Sequence, residues 1–152
     1  MSLDDLQEAL ESSLVKASPL TRSIFSRSRL SALAVQRIVN DVMGGTAATI
    51  TTEGRPHAAV VLVACHDGNM IFTASQHSRL LADLQRDAAV ALTVIAPHHD
   101  VIVQGRAERL GKATDLPELM RALHRLSKKG RFTPHSWPGY LYTIDIDKIF
   151  VN

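Results

Sequence analysis

Two hydrophobic periods succeed one another along this chain. Leu3, Leu6, Leu10 and Leu14 recur at three- and four-residue steps, which predicts an amphipathic helix at the start. Ser2 is placed to cap it, Asp4 and Asp5 suit its positive N-terminal end, and Ala17-Ser18-Pro19 ends it. A second helix is expected over Leu30 to Met43, with Leu33, Ile38, Val39 and Val42 near one face and Gly44-Gly45 as its stop. From Thr46 the period changes. Thr46 to Thr52 is rich in β-branched residues, and Glu53-Gly54-Arg55-Pro56 is turn material. His57 to Cys65 is nearly all apolar, as in a strand covered on both faces. His66-Asp67-Gly68-Asn69 is a second turn holding an Asp-Gly pair, and Met70 to Ala74 is a third strand.

Ser78 to Arg86 interrupts the strands with a short helix whose apolar stripe is Leu80, Leu81 and Leu84. Ala88 to Ile95 and Val101 to Leu110 are two further strands, and Gly105 in the second marks a bulge or a close backbone approach. Asp115-Leu116-Pro117-Glu118 has the spacing of a capping box. It opens a helix with Leu116, Leu119, Met120, Leu123 and Leu126 as its buried stripe and Gly130 as its stop; Tyr140 to Ile146 is a last strand. Six strands with connections too short for repeated parallel crossovers predict a mainly β, α+β fold, a six-stranded antiparallel barrel with flanking helices. Closing the sheet also removes exposed edges. The whole chain, 1–152, reads as one domain: a helical lead over 1–43, then a barrel with inserted helices over 45–152.

Composition narrows the function classes. With 152 residues, 45% hydrophobic and 21% charged, the chain is long enough for one core and unlike a disordered segment. A net charge of +2, evenly spread, gives no footprint for nucleic acid. No apolar run is long enough to cross a bilayer, and the acidic start Met1-Ser2-Leu3-Asp4-Asp5 is unlike a secretory signal. The single cysteine, Cys65, reads as a buried strand residue and fits a reducing, cytoplasmic address.

Chemistry concentrates in Phe72-Thr73-Ala74-Ser75-Gln76-His77-Ser78-Arg79, where a strand runs out and a helix begins. Helix N-termini present unpaired N–H groups and partial positive charge, which suits an anion. Ser75 and Ser78 add hydroxyls, and Arg79 adds a planar fork able to grip a phosphate. Read without other information, the serines are equally helix caps and Arg79 a solvated charge.

Four segments in order, and a fifth at the end, resemble the pyridoxamine 5′-phosphate oxidase-related FMN-binding split-barrel superfamily. They are the Gly54-Arg55-Pro56-His57 turn entering the strand to Val63, the strand end Phe72-Thr73 followed by Ser78-Arg79, the helix through Leu84-Gln85-Arg86-Asp87 into Val90-Ala91-Leu92, the strand Val103 to Leu110, and Tyr142 to Ile146. The resemblance implies a homodimer with two FMN sites at the subunit interface and flavin-dependent oxidoreductase chemistry on a small-molecule substrate. It places the FMN phosphate on Ser75, Ser78 and Arg79. It runs the ribityl chain and ring along His57, Ala58, Ala59, Val60 and Val61, with Thr73 and Ala74 near the same ligand. Residues near Asp100 to Ile102, or in the C-terminal third, would reach across from the partner subunit. Two departures matter. Pyridoxal-forming members carry a lysine where this chain has Leu80, and a flavin-contacting glutamine where it has Asp100. The cations that hold the substrate phosphate find no match either, so oxidation of pyridoxamine phosphate is not expected.

Other chemistry is weaker. His98-His99-Asp100 is the densest potential metal cluster, but adjacent strand residues point to opposite faces, so no metal site is expected. Relatives that handle haem make His124 or His135 a candidate axial ligand. They also leave a non-catalytic carrier of FMN, F420 or haem as the alternative function, with a purely structural dimer module as a third. Arg121, Arg125, Lys128, Lys129 and Arg131 read as a solvated basic face, and Trp137 as either a lid on the core or a stacking partner for the flavin. Lys112, Lys128, Lys129 or Arg131 are the cations able to stand in for the missing lysine. His57 is the one acid–base candidate near the expected ring.

Overall fold

The computed structural model describes residues 1–25, 29–127 and 138–152. Lys128, Lys129, Gly130, Arg131, His135 and Trp137 therefore lie outside the described residues. The lead forms α1 (Leu3–Lys16), α2 (Pro19–Phe25) and α3 (Ala32–Val42). Ser2 caps α1 through a reciprocal box: its hydroxyl accepts from the Asp5 N–H at 3.2 Å, and the Asp5 carboxylate accepts from the Ser2 N–H at 2.6 Å. The short α2 was not expected; Ser18 caps it, accepting from the Thr21 N–H at 3.2 Å, so the residues that end one helix begin the next. The stop of α3 falls earlier than the glycine pair. Met43 itself is left-handed, with φ of 51°, held there by its buried side chain and by its carbonyl, which accepts from the Val63 N–H.

Among the described residues seven strands follow, one more than expected: β1 (Gly45–Ile50), β2 (Pro56–Val61), β3 (Val63–His66), β4 (Asn69–Ser75), β5 (Ala89–Ile95), β6 (Asp100–Lys112) and β7 (Gly139–Val151). The extra strand comes from the apolar run His57 to Cys65, which breaks at Leu62. β2 pairs with β1, and β3 pairs with β4, all antiparallel. Across the sheet the order is β2-β1-β5-β6-β7-β4-β3, so the two ends of the sheet are consecutive in the chain with Leu62 alone between them. That connection forces the sheet to curl on itself into a split barrel. Thr73 ties the seam: its N–H donates to the Leu62 carbonyl and its hydroxyl accepts from the Leu62 N–H, both at 3.2 Å.

The Asp67-Gly68 pair has positive φ at both positions, 48° and 80°, as a tight two-residue hairpin turn requires, and joins His66 to its partner Asn69. Gly105 is a site of close approach. The β6–β7 register shifts between Gln104 and Gly105, and a Cβ there would lie 2.0 Å from the Asp145 carbonyl oxygen. The free edge of β3 is occupied by a side chain rather than a strand: the Asn40 amide accepts from the Cys65 N–H and donates to the Cys65 carbonyl, each at 2.8 Å.

The main core joins α1, α3 and α4 (Arg79–Arg86) to the barrel through Leu6, Val35, Val39, Leu84, Leu92, Phe72 and Ile149. A smaller cluster of Met43, Ala64, Ile71, Met120, Leu123 and Leu141 lies under α5 (Pro117–Leu126). The capping box expected at Asp115 does not form. Asp115 is taken into a 3-10 turn, Ala113–Asp115, so Leu116 stands at the cap position with no side-chain bond and Pro117 begins the helix.

Candidate functional site

The corner between β4 and α4 is built by local chemistry. Ser75 is the last residue of β4, and Ser78 caps α4: its hydroxyl accepts from the Leu81 N–H at 3.1 Å and donates to the Ser75 carbonyl at 2.8 Å. That cap satisfies the third N–H of the helix and leaves those of Arg79 and Leu80 with no acceptor inside it. Leu80, Leu81 and Leu84 bury the inner face of α4 against the barrel, which fixes where this N-terminus points.

A cleft of about 320 Å³ opens beside this corner, lined by Gly44, Ala59, Val60, Val61, Leu62, Thr73, Ser75, Ser78 and Leu80. Six of the ten residues singled out from the sequence thus meet in one place: Ala59, Val60 and Val61 from β2, Thr73 and Ser75 from β4, and Ser78. Leu62 and Gly44 join them because the strand break and the end of α3 converge there. Among the described residues no titratable side chain lines it. A larger cavity of about 440 Å³ lies between α1 and the end of β7, lined largely by Leu10, Leu14, Phe25, Leu30 and Phe150, and none of the expected site residues reaches it.

The other four stand apart from the lining. Ala58 is exposed on the outer face of β2, and Ala74 is packed in the core and paired with Tyr140 of β7. Arg79 is exposed on the first turn of α4. Its charge is felt by Glu53 in the β1–β2 turn: the Glu53 carboxyl is held below the usual carboxylate range chiefly by its own backbone N–H, then by Thr51, with the Arg79 and Arg86 guanidinium groups adding to the effect. Arg86 itself is committed to the barrel rim, donating to the Ile50 and Thr51 carbonyls.

His57 belongs to a polar cluster that the sequence reading missed. Its Nδ1 lies 2.9 Å from Oδ2 of Asp83, and the Thr49 hydroxyl donates to the same oxygen at 2.9 Å. Asp83 is 5% exposed, the one buried charged side chain among the described residues. A signal was present: Asp83 sits three residues after Leu80 and one before Leu84, a carboxylate on the apolar stripe of a helix.

The remaining candidates are quieter. Cys65 is fully buried, and burial pushes its thiol up to about 12, as an inert strand cysteine. The His99 ring nitrogen Nδ1 lies 3.1 Å from the Asn152 carbonyl oxygen. His124 is exposed on α5, and the Arg109 guanidinium lies 4.0 Å over the Tyr140 ring. Among the described residues no three His, Cys, Asp or Glu side chains are grouped to hold a metal, and no helix is long and apolar enough to cross a membrane.

Comparison with known proteins agrees with this architecture. A protein of unknown function from Agrobacterium tumefaciens superposes with a TM-score of 0.62 at 21% identity, over 80% of this chain and 56% of its own. A conserved hypothetical protein of Mycobacterium tuberculosis gives 0.66 at 20% identity, over 80% and 84%. A haem-binding protein of Mycobacterium smegmatis gives 0.63 at 21% identity, over 82% and 55%. This chain therefore spans just over half the length of two of the three. A search of curated proteins returns no significant match. The family model of pyridoxamine 5′-phosphate oxidase matches residues 34–139, which take in most of α3, β1 to β6, α4 and α5, and on that match over more than two thirds of its length the chain belongs to the pyridoxamine 5′-phosphate oxidase family.

Proposed function

We propose that the chain binds FMN in the cleft between β2 and the β4–α4 corner and uses it as a flavin-dependent oxidoreductase on a small-molecule substrate. The observation that carries this reading is the meeting of Ala59, Val60, Val61, Thr73, Ser75 and Ser78 around one cleft at a helix N-terminus. The donors there fit a phosphate: the Ser75 hydroxyl, the uncommitted N–H groups of Arg79 and Leu80, and the Arg79 guanidinium, whose long exposed side chain supplies the charge. Along β2 the ribityl chain and ring would run past Ala59, Val60 and Val61, the part of the expected His57 to Val61 strand that lines the cleft. When bound, the flavin supplies the hydride or electron chemistry. The chain's part is to anchor, orient and cover it.

The cleft is open beside Val60, a valine that is 90% exposed. A homodimer in which a second copy covers this open edge is part of the same proposal. A cytoplasmic address accords with a free cysteine and with the absence of a membrane-spanning helix among the described residues.

A non-catalytic carrier of FMN, F420 or haem is the second reading. It is favoured by the lining, where no acid or base stands among the described residues, and by the buried Leu80 at the place of the family's second phosphate cation. Titration of the purified protein with FMN, followed by quenching of flavin fluorescence, tests binding. One FMN per chain supports the proposal, and no saturable binding overturns it. Consumption of reduced nicotinamide by the loaded protein under air then separates the enzyme from the carrier.

A further inference from the structure

The split of the barrel runs between β2, at one end of the sheet, and β4, next to the other end. At the seam the Thr73–Leu62 bonds hold these strands together. Beyond the cleft the two are bridged by α4, which packs against β1, β2 and β4. The cleft therefore has two walls, Ala59 to Val61 of β2 and the Ser75–Ser78 corner, and α4 connects them.

α4 is fastened on both sides of the split. On the β4 side the Ser78 hydroxyl donates to the Ser75 carbonyl at 2.8 Å. On the other side the fastening is Asp83, one helical turn after the lining residue Leu80. A carboxylate only accepts, so the Thr49 hydroxyl and the His57 Nδ1–H both donate to its Oδ2, each at 2.9 Å. Thr49 and His57 are paired across β1 and β2 and share the face beneath the helix. One buried oxygen thus ties α4 to two strands. Arg86, in the last turn, reaches the Ile50 and Thr51 carbonyls at the barrel rim, further from the cleft. Burial of the leucines presses the helix onto the barrel without direction, whereas hydrogen bonds fix where along the hairpin it sits.

We propose that Asp83 is a positioning residue that sets the corner at the right distance from β2, so that the cleft favours a ligand touching both walls, a phosphate-tailed molecule, over its dephosphorylated form. The inference rests on the flavin reading for its ligand. FMN has to place its phosphate at the corner and its ring along β2 at once. Riboflavin makes only the second set of contacts.

Fluorescence titration of wild type, Asp83→Ala and Asp83→Asn with FMN and with riboflavin tests this, with hydrogen exchange at the Leu81 N–H reporting on the corner itself. Asp83→Ala cuts both bonds. It should lose about 3- to 10-fold in FMN affinity, the size of one hydrogen bond, and keep riboflavin within a factor of two. The Leu81 N–H, bonded to the Ser78 hydroxyl, should stay protected, because the corner is held by its own residues. Asp83→Asn keeps an oxygen that accepts from both partners and should bind FMN no more than twofold weaker than wild type. If Asp83→Ala does not fold, Thr49→Val, which cuts the β1 bond alone, is read by the same criteria. Equal losses for both ligands, lost protection at Leu81, or unchanged FMN affinity in Asp83→Ala overturns the positioning role and leaves the flavin reading standing. An Asp83→Asn protein as weak as Asp83→Ala does the same, since the loss then follows the charge and not the hydrogen bonds. A wild type that binds neither ligand removes the flavin reading and this inference with it.

Discussion

Thr73 and Leu62 meet at the one point where the sheet's two ends are joined, and Thr73 meets both polar groups of the Leu62 backbone. The side chain of Thr73 is therefore part of the barrel closure, while the same residue lines the cleft. Thr73→Val keeps the shape and the N–H to carbonyl bond but leaves the Leu62 N–H without its acceptor, at a cost of about 1–3 kcal/mol. For a chain of this size that lowers the melting temperature by roughly 2–12 °C, and Thr73→Ser should restore most of the loss. Calorimetry of the three proteins checks it. A Thr73→Val protein as stable as wild type shows that the seam does not depend on the hydroxyl.

Gly105 tolerates no side chain. A Cβ 2.0 Å from the Asp145 carbonyl oxygen requires two paired backbones to separate. Gly105→Ala is expected to cost about 3 kcal/mol or more and to reduce the yield of folded protein, read by urea denaturation and by expression level.

Cys65 should be silent to thiol chemistry. Its burial keeps the thiol protonated to about 12, whereas the unfolded chain ionises near the ordinary value of 9. Above pH 9 the unfolded state therefore binds fewer protons than the folded state, and stability falls as pH rises toward 12. An aromatic disulfide reagent at pH 8 should react with the native protein only at the rate of unfolding, and quickly after denaturation. Fast stoichiometric labelling of the native protein contradicts this.

Glu53 places a carboxylate within the field of Arg79. A phosphate arriving at the corner meets that competitor, so Glu53→Gln should tighten FMN about 2- to 5-fold at low salt, the range of exposed charge pairs. The gain should fade at high salt, where exposed charges are screened. Equal affinity of the two proteins at low salt shows that Glu53 lies outside the phosphate's reach.

Much of the fold is legible from local chemistry. The Ser2 cap, the Asp67-Gly68 turn and the close approach at Gly105 are each decided by a few neighbouring residues, and each is where the sequence places it. The break at Leu62 is not, because Val61-Leu62-Val63 is uniformly apolar and the hydrophobic pattern carries no mark where a strand changes partner. The result shows in burial: β3 is covered as expected, while β2 alternates between exposed and half-buried positions because its outer face is open. The Asp115 cap fails for a related reason. The 3-10 turn that absorbs it goes with the burial of Ala113 in one cluster with Met43, Ile71 and Leu141, residues distant in the chain. The corner of Ser75 and Ser78 was readable from the strand-to-helix switch. Asp83 was not read, because its partners Thr49 and His57 come from strands 34 and 26 residues away.

The central claim is that a phosphate sits at the β4–α4 corner with Arg79 as its cation. FMN and riboflavin share a ring system and differ by that phosphate, so the most direct measurement compares both ligands on wild type and on Arg79→Ala. The account predicts that the variant loses about 10- to 150-fold in FMN affinity, the size of one or more charge-assisted hydrogen bonds, and leaves riboflavin affinity within a factor of two. Equal losses for both ligands, or no loss for FMN, would contradict it.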